Sequence, residues 1–358
     1  GGVVAGTTYY VNTIVGTELS VSAVQGSGVP ITLTTKTGSM NIAAAGWDNV
    51  NYGTQTVPSL DSSTIYYIEP RLSYSEPPFT QVHKNPTALS GGATWVSITT
   101  GNNEFIAIPS TGTIGAKYSG TTWSSVTFPV SASWTDISFG AGYWVIISSG
   151  GSGNSTVLYS FTDGATWTVK SLPSATTWSN LVYGNGKFVA IATGTATSAY
   201  SSNYGDSWTS GSGLPNATWT GLTYGKGIFV AVASGGSTAA YSTDGISWTS
   251  ASLTASTTWS DVAYGNNIFV AVSNSTSTTS YSSDGINWYA SNLSLAADKV
   301  IYGQGVFLAL SSSSATAYVS PDGINWKQKT AFNDGYTTGT FGFNNVNEQY
   351  VGQFITLA

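Results

Sequence analysis

The side chains that run most enzymatic chemistry are scarce in this chain of 358 residues. There is no cysteine and one histidine, His83. Thiol nucleophiles, thiolate metal sites and disulfides are therefore excluded. A Ser-His-acid triad would have to use His83, which precedes Lys84 and Pro86 and reads as an exposed linker residue. No Gly-x-Ser-x-Gly sequence stands in a strand-turn-helix context. A glycosidase needs two carboxylates about 5 to 10 Å apart. Of the sixteen acids, Asp163, Asp206, Asp244, Asp284 and Asp322 fall in turns. Glu69 and Arg71 share one face of a strand and read as an ion pair. Glu18, Glu76, Glu104 and Glu348 are scattered. Gly112 and Gly115 belong to turns, since no helix follows to bind phosphate. Calcium loops are absent. The sequence offers no catalytic residue, no metal ligand set and no cofactor site, and the expectation is a non-enzyme.

Aromatic residues are what remains. There are 13 Trp and 21 Tyr, while charged residues make up only 7% of the chain. Most Trp recur at a fixed place in a repeat and read as core. Trp47 and Trp144 break that pattern and are candidates for stacking a glycan, with burial in a core or interface as the plainer reading. A net charge of −6 with ten cations leaves no basic stripe for phosphates, so nucleic-acid binding is disfavoured. The apolar runs, such as Ile228–Val232, are of strand length, far short of the roughly 18 residues of a spanning helix.

The repeat positions these residues. Seven segments follow, at most positions, the pattern aromatic-x-x-apolar-x-aromatic-Gly, with a short polar turn and an apolar strand after it. They start at Trp95, Trp134, Trp178, Trp219, Trp259, Ala297 (in place of Trp) and Tyr336. Their glycines stand at 101, 140, 184, 225, 265, 303 and 342. A period near 40 residues that encodes only strands is the mark of propeller blades.

A second motif follows in six repeats. Its clearest copies are Asp244-Gly245 with Trp248, Asp284-Gly285 with Trp288, and Asp322-Gly323 with Trp326. Looser copies are Asp163-Gly164 with Trp167 and Asn203-Tyr204-Gly205 with Trp208. The most decayed, Tyr118 to Trp123, has lost its Asp. Asp or Asn caps local backbone donors, Gly supplies positive φ, and Trp packs beneath the turn. These segments, over residues 95–326, resemble the Asp-box (BNR) repeats of sialidase-like propellers. The resemblance implies a propeller fold, with the turns away from any active site. That family grips its substrate with three arginines and attacks with a Tyr/Glu pair. This chain has Arg71 alone, so sialidase activity is not expected.

The fold class is therefore all-β: a seven-bladed propeller over residues 61–358, preceded by a small β module over 1–60. The last repeat lacks outer strands. Strands at Thr64–Pro70 and Leu72–Ser75, within 61–84, are expected to complete it, so that both chain segments close the circle and leave no free edge. The alternative is a six-bladed ring with a linker strand. In the module, Thr7–Val11, Leu19–Ser22 and Pro30–Thr34 read as strands. Ala5–Val11, Leu33–Met40, Gly46-Trp47, Tyr66–Arg71 and Ser75–Phe79 resemble tailed-phage virion proteins, notably tail-fibre proteins of marine phages. That resemblance implies an extracellular or virion protein that attaches through residues 1–60. Low charge weakens repulsion between copies, so a homo-oligomer or filament is expected. A lectin-like propeller recognising host-surface glycan is the alternative, and a secreted glycoside hydrolase the third reading.

Overall fold

In the computed structural model, the described residues are 94–119, 122–149, 155–293, 296–312, 317–329, 338–346 and 349–357, with short strands at 10–15, 18–22, 38–40, 55–57 and 81–83. The chain forms two compact units, Gly1–Phe79 and Thr80–Ala358. In the first, Tyr10–Val15 pairs antiparallel with Glu18–Ser22, and Gly38–Met40 with Gln55–Val57. The expected strand at 30–34, the expected strands at 64–70 and 72–75, and Trp47 lie outside the described residues.

The second unit is an all-β propeller, whose described residues form six sheets. Sheet A runs from Trp95 to Ala132, sheet B from Trp134 to Ser171 and sheet C from Trp178 to Ser210, each of four antiparallel strands. Sheet D, Thr218 to Asn292, has six strands and carries two copies of the repeat, at Trp219 and Trp259. Sheet E, Lys299 to Lys329, again has four. Sheet F pairs Thr338–Val346 with Gln349–Leu357, and Gln81–His83 adds to it in parallel. His83 thus sits in a strand opposite Thr356 and not in an open linker, because the sheet edge left by the last repeat takes up the segment before the first.

The copies led by Trp134, Trp178, Trp219 and Trp259 fold for the same local reasons. A bulge follows the leading Trp, as at Trp134/Asp136 and Trp219/Gly221. The strand then ends in aromatic-Gly and turns back through two residues with positive φ, such as Asn185 (46°) and Gly186 (72°). That conformation matches the twist of the flanking strands. The returning strand is buried on both faces, as in Phe188–Ala192. The leading Trp are core, as expected, at 0–6% exposure from Trp95 to Trp259. Their indole N–H groups are used too: Trp178 donates to the Ser174 carbonyl (3.0 Å) and Trp219 to that of Pro215 (3.1 Å).

The cores lie between neighbouring sheets. Ile106 and Phe128 of sheet A pack with Trp134 and Ile146 of sheet B. Val145 of sheet B packs with Trp178 and Leu181 of sheet C. Ile355 and Leu357 of sheet F are fully buried with Trp95, Ile98 and Phe105 of sheet A. The repeat glycines mark the same succession. A Cβ on Gly101, 140, 184, 225, 265 or 303 would strike the ring of Phe139, Tyr183, Tyr224, Tyr264, Tyr302 or Phe341 respectively, and one on Gly342 would strike Thr100.

Candidate functional site

The second motif makes a compact turn whose polar atoms are spent on itself. In sheets D and E the Ser242, Ser282 and Ser320 hydroxyls donate to Asp244, Asp284 and Asp322, each at 2.9 Å. Each carboxylate also takes two backbone N–H groups, for example from Ile286 (2.9 Å) and Asn287 (2.8 Å) to Asp284. Burial raises the pKa of these acids, but the hydrogen bonds outweigh it and hold all three below the usual carboxylate value. Gly245, Gly285 and Gly323 adopt positive φ, as expected.

The copies in sheets B and C are one residue longer between Ser and Trp, and this changes who caps. In sheet C, Asn203 takes the cap as expected, accepting from Ser201 (3.0 Å) and the Ser207 N–H (3.0 Å). In sheet B the cap is Thr162, whose hydroxyl accepts from the Thr166 N–H at 2.9 Å. Asp163, expected to cap, is the inserted residue at φ 50°. It instead accepts from Asn102 of sheet A at 2.6 Å. Gly164 and Gly205 keep their turn role, and Trp167 and Trp208 donate to their carbonyls at 3.0 and 3.1 Å. The shorter turns hold Trp248, Trp288 and Trp326 with buried indole nitrogens that find no acceptor. In the decayed copy Tyr118 pairs with Trp123 and Ser119 with Thr122 across antiparallel strands.

Trp144, a candidate for stacking glycan, is 0% exposed. It packs against Phe139 at 4.7 Å and donates to Asp163 at 3.4 Å. It is core because it stands in the returning strand, which both neighbouring sheets cover.

An exposed aromatic cluster arises where the longer turns meet. The rings of Tyr143 and Tyr204 stack at 4.6 Å and 6°. Phe161 lies 6.0 Å from Tyr143, and Tyr159 6.3 Å. Phe161 is 64% and Tyr204 41% exposed. Tyr204 is the inserted residue of its turn, at φ 62°, a conformation costly for a bulky side chain. Beside the cluster Asp206 accepts from Lys170 (2.7 Å) and from the Tyr159 hydroxyl (3.2 Å). The arrangement is a platform of ring faces with a polar edge, suited to binding. The sequence did carry its signal: the Ser-to-Trp spacing is one longer here, and Phe161 stands where other copies have Ser202, Thr243, Ser283 or Pro321.

A second polar group joins the first strands. Asp136 accepts from Ser97 of sheet A (2.6 Å) and from the Leu181 N–H of sheet C (2.7 Å). Asp261 accepts from the Val300 N–H (3.1 Å) and lies 4.0 Å from Lys299. Burial pushes Asp136 up to about 6, against the pull of Ser97, Leu181 and Lys299. Burial raises Asp261 as well. Among the described residues no three His, Asp or Glu side chains gather as a metal site, and no helix is long and apolar enough to cross a membrane.

Asp136 predicts a pH effect of definite sign. Its folded pKa lies above the unfolded one, so its contribution to stability is full below about pH 4 and is lost as pH rises through about 6. A two-unit shift is worth about 3 kcal/mol, and partial access to water reduces this to about 2. Urea unfolding of Asp136→Asn is expected to lack that part of the decline between pH 4 and 7. Parallel pH profiles for wild type and variant would refute the assignment.

No family model matches the chain, and no curated protein does. The sialidase-like and phage resemblances thus gain no support from relatives. The fold is similar to a solved structure of YCF48 bound to D1 peptide, at 16% identity and TM-score 0.57, covering 78% of this chain and 97% of that one. It is also similar to YCF48 from Cyanidioschyzon merolae, at 13% identity and TM-score 0.53, covering 74% and 94%. Virginiamycin B lyase from Staphylococcus aureus matches at 9% identity and TM-score 0.61, covering 74% and 96%.

Proposed function

We propose that this chain is a non-enzymatic, seven-bladed propeller that works by surface adhesion within an extracellular or virion assembly. Propellers of this fold include one with a bound peptide and one named as a lyase, so residues must decide. The observation that carries the reading is the pair of exposed rings, Phe161 and Tyr204, gathered on the half-buried Tyr143. Exposed rings, one of them Tyr204 held at a backbone cost, make a contact surface. The two raised carboxylates are meanwhile tied to backbone N–H groups of neighbouring strands. Seven blades follow if sheet D counts as two. The seven glycine contacts running from Gly101 to Gly342, and back to Thr100, support that count. The N-terminal module is the proposed attachment segment.

A glycan-binding role is the second reading, favoured by the polar Asp206–Lys170 edge beside the rings. Light scattering of the full chain is expected to show concentration-dependent association, and Phe161→Ser is expected to weaken it several-fold. A glycan array then separates partner from sugar. Turnover of any glycan at enzymatic rates, or a clean monomer with an empty array, would overturn the adhesive reading.

A further inference from the structure

Six of seven repeats place an aromatic residue just before the glycine: Phe139, Tyr183, Tyr224, Tyr264, Tyr302 and Phe341. Each covers the glycine of the preceding repeat. The exception is the first repeat, where Thr100 occupies the position over Gly342. Threonine reproduces the first atoms of such a ring and leaves out the rest. At that place the surface holds a depression of about 260 Å³, lined by Thr100, Gly101, Asn102, Asn103, Phe341 and Gly342.

The other repeats tell what fits there. Tyr264 packs on Phe269 at 4.7 Å, and its hydroxyl donates to Asn267 at 3.4 Å. In the first repeat Phe105 pairs with Thr100 as Phe269 does with Tyr264. Asn103 takes the place of Asn267 in a turn of the same shape: φ is 48° and 62° at Asn102 and Asn103, against 46° and 63° at Asn266 and Asn267. Phe105 itself is fully buried, so the depression offers a glycine floor, the Phe341 side chain and the Asn103 carboxamide, and the phenol is missing.

We infer that this notch between the first and last repeats is a binding socket for the phenol ring of a tyrosine side chain supplied by a partner. The ring would lie over Gly342 beside Phe341, with its hydroxyl donating to the Asn103 carbonyl oxygen. The site is separate from the exposed cluster on sheets B and C and stands without the adhesive reading.

The probe is p-cresol, the tyrosine side chain itself, titrated into the full chain and followed by amide NMR. Saturable binding is expected, with shifts confined to Gly101, Asn102, Asn103 and Gly342. Toluene, which lacks the hydroxyl, is expected to bind about 5-fold more weakly. Asn103→Ala is expected to remove that preference. Thr100→Tyr is expected to abolish p-cresol binding and to raise the melting temperature by about 2–4 °C, because it fills the notch from within. N-acetyltyrosinamide is expected to bind as p-cresol does. No saturation, shifts elsewhere, or unchanged binding by Thr100→Tyr would overturn the proposal.

Discussion

Gly225→Ala is expected to destabilise the propeller by about 3 kcal/mol, at the upper end of overpacking costs. The reason is contact and not backbone conformation. A Cβ at Gly225 would fall 2.0 Å from Cγ and 2.2 Å from Cδ1 of Tyr264. That ring is packed against Phe269, with centroids 4.7 Å apart, which resists its displacement. Two strands must part, and they belong to successive repeats. Gly227, two residues on, is the control. It has φ 83° and nothing within 4 Å of a Cβ, so Gly227→Ala should cost only the left-handed strain, about 1 kcal/mol. Urea unfolding of both variants checks the contrast. Adding Tyr264→Ala to Gly225→Ala should recover part of the loss, making the pair less than additive. Equal costs at 225 and 227, or strict additivity, would mean that the repeats do not touch there.

Trp219→Ala is expected to cost still more, about 3–5 kcal/mol. Trp219 is 1% exposed and packs between Val189 and Ile191 of sheet C and Phe229 of its own sheet. Several neighbours in that cluster are small, Ala231, Ala233 and Ala240, and cannot swell to fill the void. The Pro215 carbonyl would also lose its indole donor. The sixth repeat shows the alternative solution. Ala297 stands there in place of Trp and is 2% exposed, with Leu293, Val300, Phe307 and Tyr318 filling the cluster around it. There the cluster closes around alanine without a leading Trp. Ala297→Trp, by the same logic, should destabilise. A midpoint shift for Trp219→Ala no larger than that of an exposed substitution such as Phe161→Ser would contradict the packing described.

The period near 40 residues made the propeller legible, because each repeat builds its strands from its own residues. The leading Trp and the positive-φ glycines were legible for the same reason. What stayed hidden are contacts that cross a repeat. Asp136 looks like any strand acid until Ser97 and Leu181 are brought to it from 39 and 45 residues away. Trp144 breaks the sequence pattern, yet it is core, because burial depends on the sheets at either side and not on the motif. Asp163 matches the motif by identity but not by place: one inserted residue hands the cap to Thr162. That insertion, visible as a longer Ser-to-Trp spacing, is also what sets Tyr204 outward. Thr100 departs from the aromatic-Gly pattern in the sequence, but the space its short side chain leaves shows only when Gly342 is brought against it.

The proposed closure of seven repeats into one circle is tested most directly by a disulfide. The chain has no cysteine of its own, so a pair introduced by Thr100→Cys and Gly342→Cys reports without background. A Cβ at 342 would lie 2.6 Å from that of Thr100, so a shift of about 1 Å brings the pair to disulfide geometry. Peptide mapping under oxidising conditions is predicted to find an intramolecular bond between positions 100 and 342, and free thiols in a control pairing Thr100→Cys with Gly303→Cys. The reverse result, a bond from 100 to 303, would place six repeats in the circle and contradict the account.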